Sequence, residues 1–179
     1  MPDVMIDLET LDTKPSAVIL TAGLIKFNPK EITDRSQLTE LYIKIQIDDQ
    51  DKLDRSISEA TIKWWQTQAA DVQEEAFSDT DRIGLDDAIK QINKFVWNSD
   101  RVWSQGSFDI NILENLYAQL QAPPPWQFWQ VRDSRTLFDF VDGQRNTTTN
   151  LHNALEDAAQ QALAVQRALD KIQWNGKAI

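Results

Sequence analysis

Three stretches near the start of the chain have the polarity of β-strands. Residues 4–8 are mostly apolar, residues 17–27 are apolar and β-branched, and residues 38–47 alternate Leu41, Ile43, Ile45 and Ile47 with Tyr42, Lys44 and Gln46. Lys14-Pro15-Ser16 and Asn28-Pro29-Lys30 between them have turn chemistry, so the chain is predicted to open as an antiparallel meander. Beyond an acidic loop at residues 48–54 the period lengthens. Ser58 reads as the N-cap of a helix running through Gln68, and Ala88, Ile89, Ile92, Phe95 and Val96 form one face of a helix over residues 85–97. Residues 101–104 are a short strand closed by Gly106, and residues 109–120 a helix with Ile112, Leu113, Leu116 and Leu120 on one side. Ala122-Pro123-Pro124-Pro125 breaks that helix, residues 126–137 are aromatic-rich and partly extended, and residues 142–150 are a polar loop. A final helix over residues 151–169 carries its apolar positions on one stripe. Strands first, then alternating helix and strand, predict an α/β fold: a mixed five-stranded sheet, antiparallel meander followed by parallel strands, flanked by helices.

Composition narrows the picture. With 179 residues, 41% of them hydrophobic, and no internal repeat or linker, the chain reads as a single domain over residues 1–179 that needs no covalent staple. The absence of cysteine removes disulfide frameworks, Cys-based zinc sites and thiol catalysis, and the lone histidine removes multi-His metal sites. A formal net charge of −10 argues against a broad basic surface for nucleic acid, so any such contact must be local and weakly salt-dependent. The first residues lack a basic, long apolar leader, and no apolar run approaches the roughly 18 residues of a membrane span. The expectation is a soluble, cytoplasmic protein with no membrane partner.

Three segments carry candidate chemistry. At the end of the first strand, alternation puts Asp7 and Glu9 on one face, where like charges repel unless a cation joins them; hard oxygen ligands favour Mg²⁺ or Mn²⁺ over zinc. A solvated strand end has the same sequence. Gln105-Gly106-Ser107-Phe108-Asp109 turns from strand to helix and leaves Asp109 at the helix start, where an acid is equally at home as a cap. In His152-Asn153-Ala154-Leu155-Glu156-Asp157, positions five apart fall about 140° apart on a helix, so His152 and Asp157 can share a site only if His152 precedes the first regular turn.

Together, Asp7-Leu8-Glu9-Thr10, Gln105-Gly106-Ser107-Phe108-Asp109 and His152-Asn153-Ala154-Leu155-Glu156-Asp157-Ala158 resemble the three motifs of the DEDDh branch of the DnaQ-like 3′-to-5′ exonucleases, across nearly the whole chain. Trp64-Trp65, Trp103-Ser104-Gln105-Gly106 and Arg132-Asp133-Ser134-Arg135 resemble the small subfamily that includes phage exonuclease A and a bacterial exoribonuclease. Two departures touch contacts to the terminal nucleotide: Gln105 stands where the family usually has Asn, and Leu11-Asp12 replaces the common Thr-Gly.

The resemblance implies a ribonuclease H-like fold and hydrolysis of phosphodiester bonds at single-stranded 3′ ends, with RNA slightly ahead of DNA. Asp7, Glu9, Asp109 and Asp157 would hold two Mg²⁺ or Mn²⁺ ions, and His152 would be the general base, giving activity that rises between about pH 6 and 8. Substrate contacts would come from Thr10, Leu11, Gln105, Phe108, Arg132 and Arg135. Of the two adjacent tryptophans one belongs to the core and the other to the cleft, and Trp65 is taken as the cleft residue. Competing expectations are a single-stranded DNA exonuclease and a non-catalytic nucleic-acid-binding or polymerase-associated module. The resemblance further implies a bacterial or phage-encoded protein and suggests a homodimer.

Overall fold

The computed structural model describes residues 1–141 and 152–174. The polar loop expected at residues 142–150, and Leu151 at the predicted start of the last helix, lie outside the described residues. The meander forms as expected: β1 (Asp3–Thr10), β2 (Ile19–Phe27) and β3 (Thr39–Ile45) pair antiparallel, with Asp7 opposite Gly23 and Gly23 opposite Tyr42. A sixth strand joins the five: β4 (Arg82–Ile83) runs parallel to β3 at one edge, while β5 (Val102–Ser104) and β6 (Val131–Asp133) extend the sheet in parallel beyond β1. The order is β4-β3-β2-β1-β5-β6. Two residues are too few for periodicity to announce β4. It is held by Arg82, whose guanidinium donates to the carbonyls of Leu20, Ile45 and Ala76.

The helices are α1 (Asp48–Asp51), α2 (Glu59–Trp65), α3 (Ala70–Phe77), α4 (Leu85–Val96), α5 (Phe108–Gln119), α6 (Ser134–Asp139) and α7 (Ala154–Lys171). Four differ from expectation, and one of them, α3, falls where no element was predicted. The acidic loop contains a helical turn; α2 stops at Trp65 because the Thr67 hydroxyl and Gln68 amide bond the Trp64 carbonyl. Residues 134–139 form a helix rather than extended chain, because the Asp133 carboxylate caps it by accepting from Arg135 N and Thr136 Oγ1.

Strand alternation divides the interior. Val4, Ile6 and Leu8 pack with Ile92 and Val96 of α4 and Leu113 and Leu116 of α5. On the opposite face Met5, Ile25 and Trp103 meet Ala158, Ala159, Ala162 and Val165 of α7. Small alanines let α7 lie close to the sheet, and they favour its helix intrinsically. The approach is tightest at Gly23, where a Cβ would overlap the Ala154 carbonyl and the Leu155 nitrogen. A third cluster of Leu11, Val18, Leu20, Trp65 and Ala76 packs α2 and α3 against the end of the sheet, where the register of β1 and β2 slips between Glu9 and Thr10. No described helix is long and apolar enough to cross a membrane.

Candidate active site

The alternation that buries Met5 under α7 also directs Asp7 and Glu9 to that face, towards the start of the helix. Asp109, the second residue of α5, reaches in from the other layer, and its Oδ1 accepts the Leu8 N–H at 3.0 Å, so it is fixed to β1 midway between the two acids. A carboxylate in the first turn of a helix is also favoured by the helix dipole. Asn153 caps α7 through Leu155 N and Glu156 N, leaving His152 one residue ahead of the cap with φ of +73°. That left-handed backbone is uncommon for a residue with a Cβ. It turns the His152 N–H onto Asp157 Oδ2 at 2.9 Å, so the histidine does precede the regular helix and meets Asp157 there. Ligand atoms of Glu9, His152 and Asp157 all lie within 4.8 Å of one another, a group able to hold a metal ion.

The charges in this pocket are poorly offset. Burial, then the neighbouring Asp109, Glu9 and Asp157, push the Asp7 carboxyl well above its usual range, against the pull of a hydrogen bond from Gln161. Glu9 is pushed up to about 8 by burial, then by Asp157 and Asp109. Burial raises Asp109 to about 7, opposed by the Leu8 N–H and by the Arg135 charge. Asp157 is raised by burial as well, with the His152 N–H opposing. Acids held together at this density, in a pocket whose hydrogen bonds meet only part of their charge, fit a site for hard divalent cations.

Two hollows meet at Phe108, and the first of them reaches the carboxylates. One of about 430 Å³ is bounded by Glu9, Thr10, Asp12, Thr61, Trp64 and Phe108 among others. The other, about 360 Å³, is bounded by Thr13, Gln105, Gly106, Phe108, Asn111 and Arg135 among others. Phe108 stands exposed between them. Thr10, Gln105 and Arg135 therefore line the cleft, and Arg135 Nε donates to the Gln105 carbonyl at 3.2 Å. Arg132 lines neither hollow; its guanidinium folds back onto the carbonyls of Trp129 and Val131.

Two expected substrate contacts need correction. Leu11 is buried with Val18, Leu20 and Trp65, because the chain leaving β1 must cover the apolar underside of α2 and α3. Trp65 is only 2% exposed and donates its Nε1–H to the Thr10 carbonyl at 2.9 Å, so it supports the cleft wall from behind. Its neighbour Trp64 faces the cleft and packs edge-on against the His152 ring, with centroids 4.7 Å apart.

One side chain at the site had no place in the expected set. Gln161, one helical turn beyond Asp157, donates its Nε2–H to Asp7 Oδ1 at 2.7 Å. A polar residue four positions after a candidate ligand, on the same helix face, was the available signal.

The mixed sheet places two acids on its central strand, a third at the start of α5 and a His–Asp pair at the start of the last helix, the arrangement that the three sequence motifs lead one to expect. The chain belongs to the 3′-5′ exoribonuclease Rv2179c-like domain family, which matches residues 2–169, and it is a 3′-to-5′ exonuclease, a hydrolase of phosphodiester bonds. It is 26% identical over 204 residues to an exodeoxyribonuclease of Enterobacteria phage T4, covering 94% of this chain and 89% of the phage protein. Among solved structures it resembles the nuclease domain of 3′hExo, a DEDDh family member bound to rAMP (TM-score 0.54, 16% identity, 95% of this chain and 92% of that one). It also resembles cell-death related nuclease 4 (TM-score 0.53, 12% identity, 95% and 64%).

Proposed function

We propose that the protein removes nucleotides from single-stranded RNA 3′ ends, with Asp7, Glu9, Asp109 and Asp157 holding two Mg²⁺ or Mn²⁺ ions and His152 acting as general base. The observation that carries this reading is the convergence of four acids from β1, α5 and α7 into one pocket whose carboxyls are pushed upward by burial and, for Asp7 and Glu9, by their neighbours as well. Bound there, divalent ions would supply Lewis-acid activation of water and charge stabilisation at the departing 3′ oxygen. The chain supplies the rest. His152 is turned out of the helix so that its ring is free to take the proton of the attacking water, with its backbone tied to Asp157 and its ring held from the side by Trp64. The two hollows either side of Phe108 suit a terminal and a penultimate nucleotide, with Trp64 and Phe108 offering sequence-tolerant stacking and Arg135 a cation for phosphate.

RNA is favoured by the exoribonuclease family match. A second reading, single-stranded DNA, draws on the 26% identity to the phage exodeoxyribonuclease. Matched RNA and DNA oligomers, and an RNA ending in one 2′-deoxynucleotide, separate them. RNA should be shortened several-fold faster, with the deoxy end slowing the first step; equal or faster DNA degradation would move the assignment to the second reading.

Gln161 fixes one Asp7 oxygen. Gln161→Ala is therefore expected to weaken Mn²⁺ binding about 10-fold to 100-fold, as loss of a ligand's hydrogen-bond partner commonly does. Calorimetric titration checks this, and unchanged affinity would remove Gln161 from the site.

Stability should depend on pH and metal together. Glu9 and Asp109 titrate at about 8 and 7 in the folded protein but near about 4 when unfolded, so the native state binds more protons over that window. Metal-free protein is then most favoured below about pH 4 in this contribution, and loses it as pH rises through the folded values. Its melting temperature should fall between about pH 5 and 8. Saturating Mn²⁺ should restore roughly 5 to 10 °C at pH 8 and much less at pH 5. Thermal melts in EDTA and in Mn²⁺ check the pattern; an equal shift at both pH values would contradict it.

A further inference from the structure

We propose that, without nucleic acid bound, Glu9, His152 and Asp157 form a three-ligand site for a borderline transition-metal ion such as Zn²⁺, and that filling it inhibits the enzyme by tying up the His152 imidazole. The argument begins with the donors. Oxygen ligands suit Mg²⁺, whereas an imidazole nitrogen beside two carboxylates is an N/O set that suits Zn²⁺, and Zn²⁺ outranks Mn²⁺ on such sets. The three ligand atoms lie within 4.8 Å of one another. Donors on a tetrahedral zinc, with bonds of about 2.0–2.1 Å, stand about 3.4 Å apart, so closing from 4.8 Å asks each pair to approach by at most about 1.4 Å, within reach of side-chain rotation.

The surroundings hold this arrangement. The His152 N–H is bound to Asp157 Oδ2 at 2.9 Å, which keeps the imidazole and that carboxylate on the same side of the helix start. The Trp64 ring meets the imidazole at 87° from the cleft side, limiting its swing away. Glu9 is only 8% exposed and lies in one pocket with Asp157 and Asp109, so a cation that joins it offsets a crowded negative charge. A three-ligand site also leaves a fourth zinc position for water. The nitrogen lone pair given to zinc is the one a general base would use for a proton, so the inhibition half of the inference rests on the reading of His152 as base; the binding half does not.

The chain has one histidine, which makes its ring an unambiguous reporter. In full-length protein labelled with ¹⁵N-histidine, one equivalent of Zn²⁺ should move the imidazole ¹⁵N resonances to new positions, while millimolar Mg²⁺ leaves them nearly unmoved. His152→Ala should weaken Zn²⁺ binding by calorimetry about 10-fold or more, with Mg²⁺ affinity little changed. His152→Gln, which keeps a polar side chain of similar size, guards against a folding defect and should behave likewise. Micromolar Zn²⁺ should also suppress Mg²⁺-supported nucleotide release. Imidazole resonances that stay fixed at saturating Zn²⁺, or equal Zn²⁺ affinity in wild type and both variants, would overturn the site. Mg²⁺-dependent nucleotide release in that same preparation would leave the exonuclease reading standing, so the two failures are distinguishable.

Discussion

His152→Ala should lower turnover on a single-stranded 3′ end by about 10²–10⁴-fold, the usual contribution of a positioned general base. The loss should fall on kcat, since the ring touches Trp64 and lies beside Glu9 and Asp157 but contributes little area to either hollow. Folding should be barely affected. The residue sits outside the regular helix with φ of +73°, and its contribution to the site's framework is a backbone N–H that alanine retains. Steady-state kinetics with a fluorescent RNA oligomer, alongside a thermal melt, check both halves. Near-normal kcat would show that another group takes the proton; a large drop in melting temperature would show that the ring holds the helix entrance together.

The second large effect is expected at a residue with no side chain. Gly23 lies opposite Asp7 in the sheet, and the first turn of α7 rests directly on it. The atoms that a Cβ would meet belong to the backbone of Ala154 and Leu155, so no rotamer change relieves the clash and the helix start itself must lift. His152, Asp157 and Gln161 would move with it, away from Glu9 and Asp7. Gly23→Ala should therefore cost about 1–3 kcal/mol of stability through overpacking. It should also lower kcat/KM by about 10²-fold, the scale of loss from an ångström of misplacement. Gly84→Ala is the matched control: among the described residues the near neighbour of its Cβ is the Asp49 carboxylate at 3.2 Å, which need give by only a few tenths of an ångström and can keep its bond to the Leu85 N–H. If Gly23→Ala keeps full activity, α7 is not positioned by that contact.

The origin of this site shows which parts of it the sequence could display. A two-residue period is enough to put Asp7 and Glu9 on one face, and a 100° helical step is enough to require that His152 leave the helix if it is to meet Asp157. Both are local geometry, and both hold in the fold. The tryptophan pair could not be resolved the same way. Its phase is set by the third apolar cluster, where Leu11, Val18 and Leu20, far from the tryptophans in sequence, bury Trp65 and leave Trp64 facing His152. The same long-range packing draws Leu11 inward, away from substrate. Strand β4 has no signature in the sequence because a pair of residues has no period and because its anchor, Arg82, bonds carbonyls on three other segments. Gly23 did leave a trace, since a glycine inside an otherwise apolar strand often marks close backbone approach. What approaches it, the start of α7, is a fact of the tertiary structure.

The charge follows the same division. A net −10 excludes a long basic track for nucleic acid, yet four of those acids are the groups that would grip the metal ions. These acids are expected to release nucleotides one at a time from a 3′ end when, and only when, divalent metal is present. The most direct test is product analysis of a 5′-labelled single-stranded RNA incubated with Mg²⁺, Mn²⁺ or EDTA, using wild type and Asp7→Asn. Wild type with either metal should give a ladder shortened by single nucleotides, while EDTA and Asp7→Asn give intact RNA. Shortening that persists in EDTA, or that proceeds at wild-type rate in Asp7→Asn, would contradict the account.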